Sequence, residues 1–232
     1  MGKTFVSAML ASQIDGRTLV IAPPVLLERS NPGSWNNIFS DFRIPADFYS
    51  LGNLDKILKN NPKKYKNVII DEAHRFRNEN TQTYEKLSRI CRGKRIILVS
   101  ATPYNNSPKD ILSLLKLFQN VKKSTIPNLP DLEDFFSNIE ARLQNIDKRK
   151  DYKKYIETVK KNSLEIRDKV LKYLMVRRTR NEIVKYFNDD IKKQGLKFPE
   201  VEKPQQLYYQ LNEEEDKAFG GTIEKLTKEF KY

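Results

Sequence analysis

Three short apolar runs constrain this chain more than any other feature. Leu19-Val20-Ile21-Ala22 stops at Pro23-Pro24, Val68-Ile69-Ile70 stops at Asp71, and Arg95 to Val99 stops at Ser100. None alternates with polar residues, as a strand with one wet face would. Each therefore predicts a strand buried on both faces. Helical patterns fall between and around them: Thr4 to Ala11, Asp55 to Leu58, Thr83 to Cys91, and Asp110 to Phe118 behind a Ser107-Pro108 cap. Buried strands alternating with helices predict an α/β fold with a central parallel sheet flanked by helices. Ligands of such sheets bind beyond the carboxyl ends of the strands, the edge that Asp71 and Ser100 occupy.

The character changes after Phe118. Residues 119–134 hold Pro127, Pro130 and Asp131 and read as a linker. From Leu132 to Tyr186 the chain is charged and helical. Phe135, Ile139, Leu143 and Ile146 recur at helical spacing, as do Ile156, Val159, Ile166, Val170 and Leu174. Residues 198–211 read as extended. Asn212 caps a helix whose first turn, Glu213-Glu214-Glu215-Asp216, places acids at its positive end, and Gly220-Gly221 is expected to interrupt that helix. Three regions follow: 1–120, 121–197 and 198–232.

Composition narrows the function classes. The net charge is +13, with basic excess densest in residues 121–180. Such a surface attracts phosphate backbones without reading sequence, although lysine-rich helices are also simply well solvated. No apolar run approaches the ~20 residues of a membrane span, and the N-terminus lacks a secretory pattern. The single cysteine, Cys91, has no disulfide partner and reads as a helix-packing residue, which fits a reducing compartment. One cysteine and one histidine do not make a zinc site. Trp35, the only tryptophan, is expected to pack its helix. Tyr152, Tyr155, Tyr173 and Tyr186, interleaved with lysines, are expected on a solvated helical face.

The chemistry sits in three short motifs. Gly2-Lys3-Thr4 matches the end of a phosphate-binding loop. Its glycine lets backbone approach phosphate, its lysine reaches the β and γ phosphates, and its threonine hydroxyl ligates Mg2+. The helix that follows aims its N-terminus at the same group. Asp71-Glu72 closes a strand, so Asp71 lies near the metal and Glu72 can orient or deprotonate a water. Phosphoryl transfer asks for such positioning and charge stabilisation. His74, the only histidine, stands where it could link nucleotide state to its neighbours. Ser100-Ala101-Thr102 offers small hydroxyls that can hydrogen-bond the Asp71–His74 segment.

These residues resemble the helicase-like motors of superfamily 2, and within them the Snf2 family. Met1-Gly2-Lys3-Thr4 is similar to the end of a "GxGKT" loop. Leu19 to Pro23, with Leu26-Leu27 and Trp35 to Phe39, resembles motif Ia. Asp71 to Asn78 resembles "DEAH+.KN", and Ser100 to Asn106 with Leu112, Leu115 and Leu117 resembles motif III and the helix behind it. Met175-Val176-Arg177-Arg178-Thr179-Arg180 resembles the "RRTK" element that ends the family's helical protrusion. Phe198-Pro199 and Gln206 to Phe219 resemble the stretch after it. Ser-Ala-Thr replaces the commoner Gly-Thr of motif III, which fits prokaryotic relatives.

The resemblance implies a RecA-like P-loop NTPase lobe over 1–120, an α-helical protrusion over 121–197, and a segment over 198–232 leading on from it. ATP and Mg2+ are the implied cofactors, and double-stranded DNA the implied partner, with RNA left open. Pro23, Arg75, Arg177 and Arg178 become nucleic-acid candidates. A second RecA-like lobe, expected beyond residue 232, would supply transition-state arginines worth ~10³–10⁵ in rate. The 232 residues alone are therefore expected to hydrolyse ATP negligibly and to bind it poorly. The implied setting is cytoplasmic, nucleoid-associated and prokaryotic. Alternatives are a strand-separating helicase or restriction-type motor subunit, and a nonenzymatic DNA-binding fragment. Strand displacement would reveal the former, and salt-sensitive duplex binding without ATPase activity the latter.

Overall fold

Two of the three apolar runs, Leu19–Ala22 and Val68–Ile70, form the centre of a sheet. The third, expected to be buried on both faces, lies instead at the sheet's edge, with Arg95 exposed and Ile96, Ile97 and Leu98 half-buried because no further strand among the described residues covers them. The structure, a computed structural model, describes residues 2–101, 107–177, 179–195, 197–199, 205 and 212–229. Helix α1 (Lys3–Gln13) leads into strand β1 (Thr18–Ala22). Helix α2 (Trp35–Asp41), strand β2 (Ala46–Ser50), helix α3 (Leu54–Lys59) and strand β3 (Asn67–Ile70) follow. Helix α4 (Gln82–Cys91), strand β4 (Arg95–Leu98) and helix α5 (Pro108–Leu115) complete the layer. All pairings are parallel, in the order β2-β1-β3-β4. This is a RecA-like α/β lobe.

Alternation along the two central strands divides the core. Leu19 and Ile21 of β1, with Val68 and Ile70 of β3, face α3 and α4, where Ile57, Leu87 and Ile90 are buried. Val20, Ala22 and Ile69 face the other way, onto Ala8 and Ala11 of α1 and Trp35, Ile38 and Phe39 of α2. Every residue of β1 and β3 is buried. Each large side chain hidden this way contributes roughly 1.5–3 kcal/mol before entropy is counted. Cys91 is buried in the first of these clusters, in its expected packing role.

β2 was not foreseen. All five of its residues are only half-buried, because it is an edge strand, and its sequence Ala-Asp-Phe-Tyr-Ser has no apolar run. The turn before β1 is tightly packed. Gly16 has φ +99°, and a Cβ there would meet Lys66 side-chain carbons at 2.5–2.8 Å, so only glycine fits.

Helices α6 (Leu132–Gln144) and α7 (Tyr152–Ile166) follow, and α7 continues through a π turn (Arg167–Leu171) into the short α8 (Lys172–Leu174). Their apolar stripe, Leu132, Phe135, Phe136, Ile139, Ile166 and Val170, buries Ile111 and Leu115 of α5. Arg142 crosses between the helices to Asn162 (3.2 Å) and Glu165 (2.6 Å). Residues 1–175 thus form one compact unit and 176–232 a second.

In the second unit, α9 (Arg180–Lys193) begins at a reciprocal cap between Thr179 and Glu182 and kinks at Phe187. Helix α10 (Glu213–Glu229) begins the same way, Asn212 and Glu215 exchanging hydrogen bonds at 2.9 and 3.0 Å. The expected interruption at Gly220-Gly221 does not occur, and the helix runs through both. Each glycine costs only ~1 kcal/mol against alanine, about 2 kcal/mol for the pair, and the helix is supported at its start by a reciprocal cap and four acids in its first turn. Most of the expected extended stretch 198–211, including 206–211, lies outside the described residues. Among the described residues no helix is long and apolar enough to cross a membrane.

Candidate nucleotide site

Parallel pairing sets β1, β3 and β4 with their carboxyl ends at one edge, and each ends in a sequence motif. The ladder runs past the strands: Asp71 N–H donates to Ile21 O (2.8 Å), Val99 N–H to Ile70 O (2.8 Å), and Ala73 N–H to Val99 O (3.0 Å). The backbone alone therefore fixes the segment from Asp71 to Ala73 against Val99, one residue before Ser100.

Asp71 is 3% exposed and both of its oxygens are engaged. Oδ1 accepts from the Glu72 amide (2.8 Å), and Oδ2 accepts from Trp35 Nε1 (2.8 Å). Glu72 takes a left-handed conformation (φ 50°, ψ 43°), uncommon outside glycine, and a 3-10 turn, Ala73–Phe76, follows. The bend directs the Glu72 carboxylate to two partners. His74 Nδ1 lies 3.1 Å from Oε2, and Lys3 Nζ lies 3.9 Å from Oε1. The same His74 nitrogen is 3.2 Å from Ser100 Oγ. A proton on Nδ1 is thus held by the carboxylate, with the hydroxyl within reach of the same atom.

The residues expected to end a phosphate loop, Gly2, Lys3 and Thr4, open α1. Gly2 is its N-cap at φ 79°, a backbone conformation suited to glycine, and its carbonyl accepts from Val6 N–H (3.0 Å). No acidic side chain occupies the first turn of α1, so the helix's positive end is uncompensated locally. The Lys3–Glu72 contact is long and half-exposed, worth at most ~1 kcal/mol. Lys3 is consequently free to exchange this partner for a better anion. Thr4 is half-buried in the same turn.

Magnesium bound with a nucleotide usually takes only one or two protein oxygens, keeping waters and phosphates for the rest. Asp71 and the Thr4 hydroxyl match that donor set. Among the described residues no group of three His, Cys, Asp or Glu side chains could hold a metal by itself.

The structure therefore brings together Lys3, Glu72, His74 and Ser100, with Asp71 behind them on the same edge. Pro23, half-buried, directly follows β1 on that edge, and Arg75 is exposed within the 3-10 turn. Ala101 is exposed, whereas Thr102 lies outside the described residues. Arg177 is exposed in the second unit, and Arg178 lies outside the described residues. Sequence reasoning missed the indole of Trp35. The signal was available in outline: α2 follows β1, β1 neighbours β3, and the first residue of such a helix lies at the carboxyl edge.

The family model described as SNF2-related domain matches residues 36–230. The chain is similar to the CHD3-type chromatin-remodeling factor CHR7 of Arabidopsis thaliana, 30% identical over 71 residues, covering 31% of this chain and 6% of that protein. It is also similar to the uncharacterized ATP-dependent helicase YqhH of Bacillus subtilis, 31% identical over 110 residues, covering 41% of this chain and 20% of that protein. The chain thus spans a fifth or less of the length of these curated relatives.

Proposed function

Because the chain belongs to the SNF2-related domain family, we propose that its three motifs form one half of the ATP-hydrolysing site of a Snf2-like double-stranded DNA translocase. One observation carries the reading. The Glu72 carboxylate joins all three motifs, with Lys3 at one oxygen and His74 at the other, and His74 in turn meets Ser100. Such a carboxylate senses the phosphate loop and the end of β4 at once.

In this reading Gly2 and the first turn of α1 cradle the phosphates, and Lys3 leaves Glu72 to meet the β and γ oxygens. That exchange frees Glu72 Oε1 to orient the attacking water and receive its proton. Thr4 and Asp71 hold the magnesium, which supplies charge neutralisation on the phosphates when bound. His74 keeps the second Glu72 oxygen fixed and passes any displacement to Ser100. Pro23 and Arg75, on the same edge, with Arg177 and Arg178, are the nucleic-acid candidates. A second RecA-like lobe would close the site and contribute arginines.

The test is phosphate release by the complete protein carrying this chain, with and without duplex DNA. Glu72→Gln should lower DNA-stimulated turnover by about 100-fold or more, the scale of a lost general base, while ATP binding persists. Turnover that is indifferent to Glu72→Gln sinks the assignment. A strand-separating helicase is the second reading, favoured by the helicase name of the Bacillus relative. Displacement of an annealed strand during ATP turnover would select it over translocation, and RNA duplexes in the same assay would test the substrate.

A further inference from the structure

Trp35 is buried to 1% exposure, yet its indole N–H is not spent within its own helix. It reaches across to the buried carboxylate of Asp71, with Nε1 and Oδ2 2.8 Å apart. We propose that Trp35 is a positioning residue for Asp71: its N–H fixes the carboxylate that holds the nucleotide's magnesium, and ties that carboxylate to the loop between β1 and α2. The proposal rests on the reading of the phosphate site above.

Three observations support it. First, the indole cannot swing. Its ring is tilted against Phe39 at 5.7 Å between centroids, and Phe39 packs edge-on to Phe48 at 5.6 Å. Second, a carboxylate has roughly four lone-pair sites. The two neutral donors, Trp35 and the Glu72 amide, orient Asp71 without neutralising it and leave lone pairs for a cation. A lysine or arginine in place of Trp35 would compete with magnesium. Third, α2 is stitched to the preceding loop by its own side chains. Asn36 donates to Leu27 O, and Asn37 donates to Arg29 O (2.9 Å) and Asn31 O (2.8 Å), while the fully buried Ser34 caps the helix through Asn37 N–H (3.3 Å). A shift of the loop that begins at Pro23 therefore moves Trp35, and Trp35 moves Asp71.

The single tryptophan makes the test direct, because the 232-residue chain yields one indole N–H signal in a proton–nitrogen correlation spectrum. Asp71→Asn should shift that signal without nucleotide, identifying it as a reporter of the bond. ATP is then titrated without metal, followed by Mg2+. The expected result is movement of the Lys3 and Thr4 amides with ATP, and of the indole when Mg2+ is added. Trp35→Phe keeps the aromatic packing and removes the donor. It should cut the magnesium-dependent gain in ATP affinity about 10-fold, as loss of a metal ligand's supporting hydrogen bond does, with metal-free ATP affinity unchanged. A purely structural role would weaken both affinities together. An indole unmoved by Mg2+ while Lys3 and Thr4 respond overturns the proposal, as does a full magnesium gain in Trp35→Phe. If Trp35→Phe does not fold, the wild-type spectra decide alone. Lys3 and Thr4 amides indifferent to millimolar ATP would overturn the phosphate-site reading instead, and this proposal with it.

Discussion

Replacing Tyr84 with phenylalanine should destabilise the protein at neutral pH and cease to do so near pH 11. Tyr84 of α4 is buried, and its hydroxyl donates to Ser113 O (2.7 Å) in α5. That carbonyl belongs to the last turn of α5. Its neighbours Leu112, Leu114 and Leu115 accept from the amides of Lys116, Leu117, Phe118 and Gln119, so the tyrosine completes the end of the helix. Removing the hydroxyl strands a buried acceptor, a cost of about 1.5 kcal/mol. Burial, then the nearby Glu79 carboxylate, pushes the Tyr84 hydroxyl up to about 12. In the unfolded chain it ionises near ~10. Its contribution is therefore complete below pH 10 and is lost as the pH rises toward 12, by about 1.4 kcal/mol per pH unit. The deficit of Tyr84→Phe should close along that limb, and the two stability curves should cross near about pH 11. Tyr65 and Cys91, also pushed up by burial, are present in both proteins and cancel in the difference. Urea unfolding followed by circular dichroism from pH 8 to 11.5 measures both curves. Parallel curves would refute the pH argument, and the absence of a gap at pH 8 would refute the capping argument.

Two further outcomes follow from the packing. Glu165 is held below the usual carboxylate range by its hydrogen bonds to Arg142 and Lys169, so its contribution is present above ~4.3, the unfolded value, and is lost as the pH falls through its folded value. Glu165→Gln should cost about 1 kcal/mol at pH 7 and progressively less as the pH falls below the usual carboxylate range, read as a melting-temperature difference that shrinks in acid; a difference independent of pH would contradict the ion-pair account. Burial pushes the Cys91 thiol up to about 12, so at pH 8 the native protein should resist a thiol-specific reagent and react only as urea unfolds it. Stoichiometric labelling within seconds in native buffer would show the first core cluster to be wrongly assigned.

The sequence read best where burial was most complete. β1 and β3 are hidden on both faces, so every position is apolar or satisfied and the runs stand out. β2 has one neighbour and half-buried residues, and Asp47 and Ser50 erase the pattern. The three motifs were legible because each follows directly from a strand end or helix start. The proximity of His74 to Ser100 could be anticipated once both were placed on the same edge. The position of Trp35 at that edge was readable in outline from the order of β1, α2 and β3, but its bond to Asp71 was not, since that depends on the rotation of α2 about its own axis. The continuity of α10 through Gly220-Gly221 escaped for a different reason. Local propensity favours a break there, while the Asn212–Glu215 cap, several residues upstream, sustains the helix.

The strand order bears on how this chain is made as well as on what it binds. Thr18 of β1 pairs with Ala46 on one side and with Asn67 on the other, and Asn67 then pairs with Arg95. Every pairing is parallel, so even the strands consecutive in the chain, β1 with β2 and β3 with β4, are joined by crossovers and no hairpin can nucleate the sheet. Loop-closure entropy must be met before any of these pairings forms. As the polypeptide leaves the ribosome, β1 emerges before the other three strands; β2 can pair with one of its edges, but the other edge stays open until β3 has been synthesised. During that interval α1 and α2, whose apolar residues pack on one face of β1, are the local elements able to shield it. The helices that later frame the carboxyl edge of the sheet are thus also the early guardians of the nascent sheet.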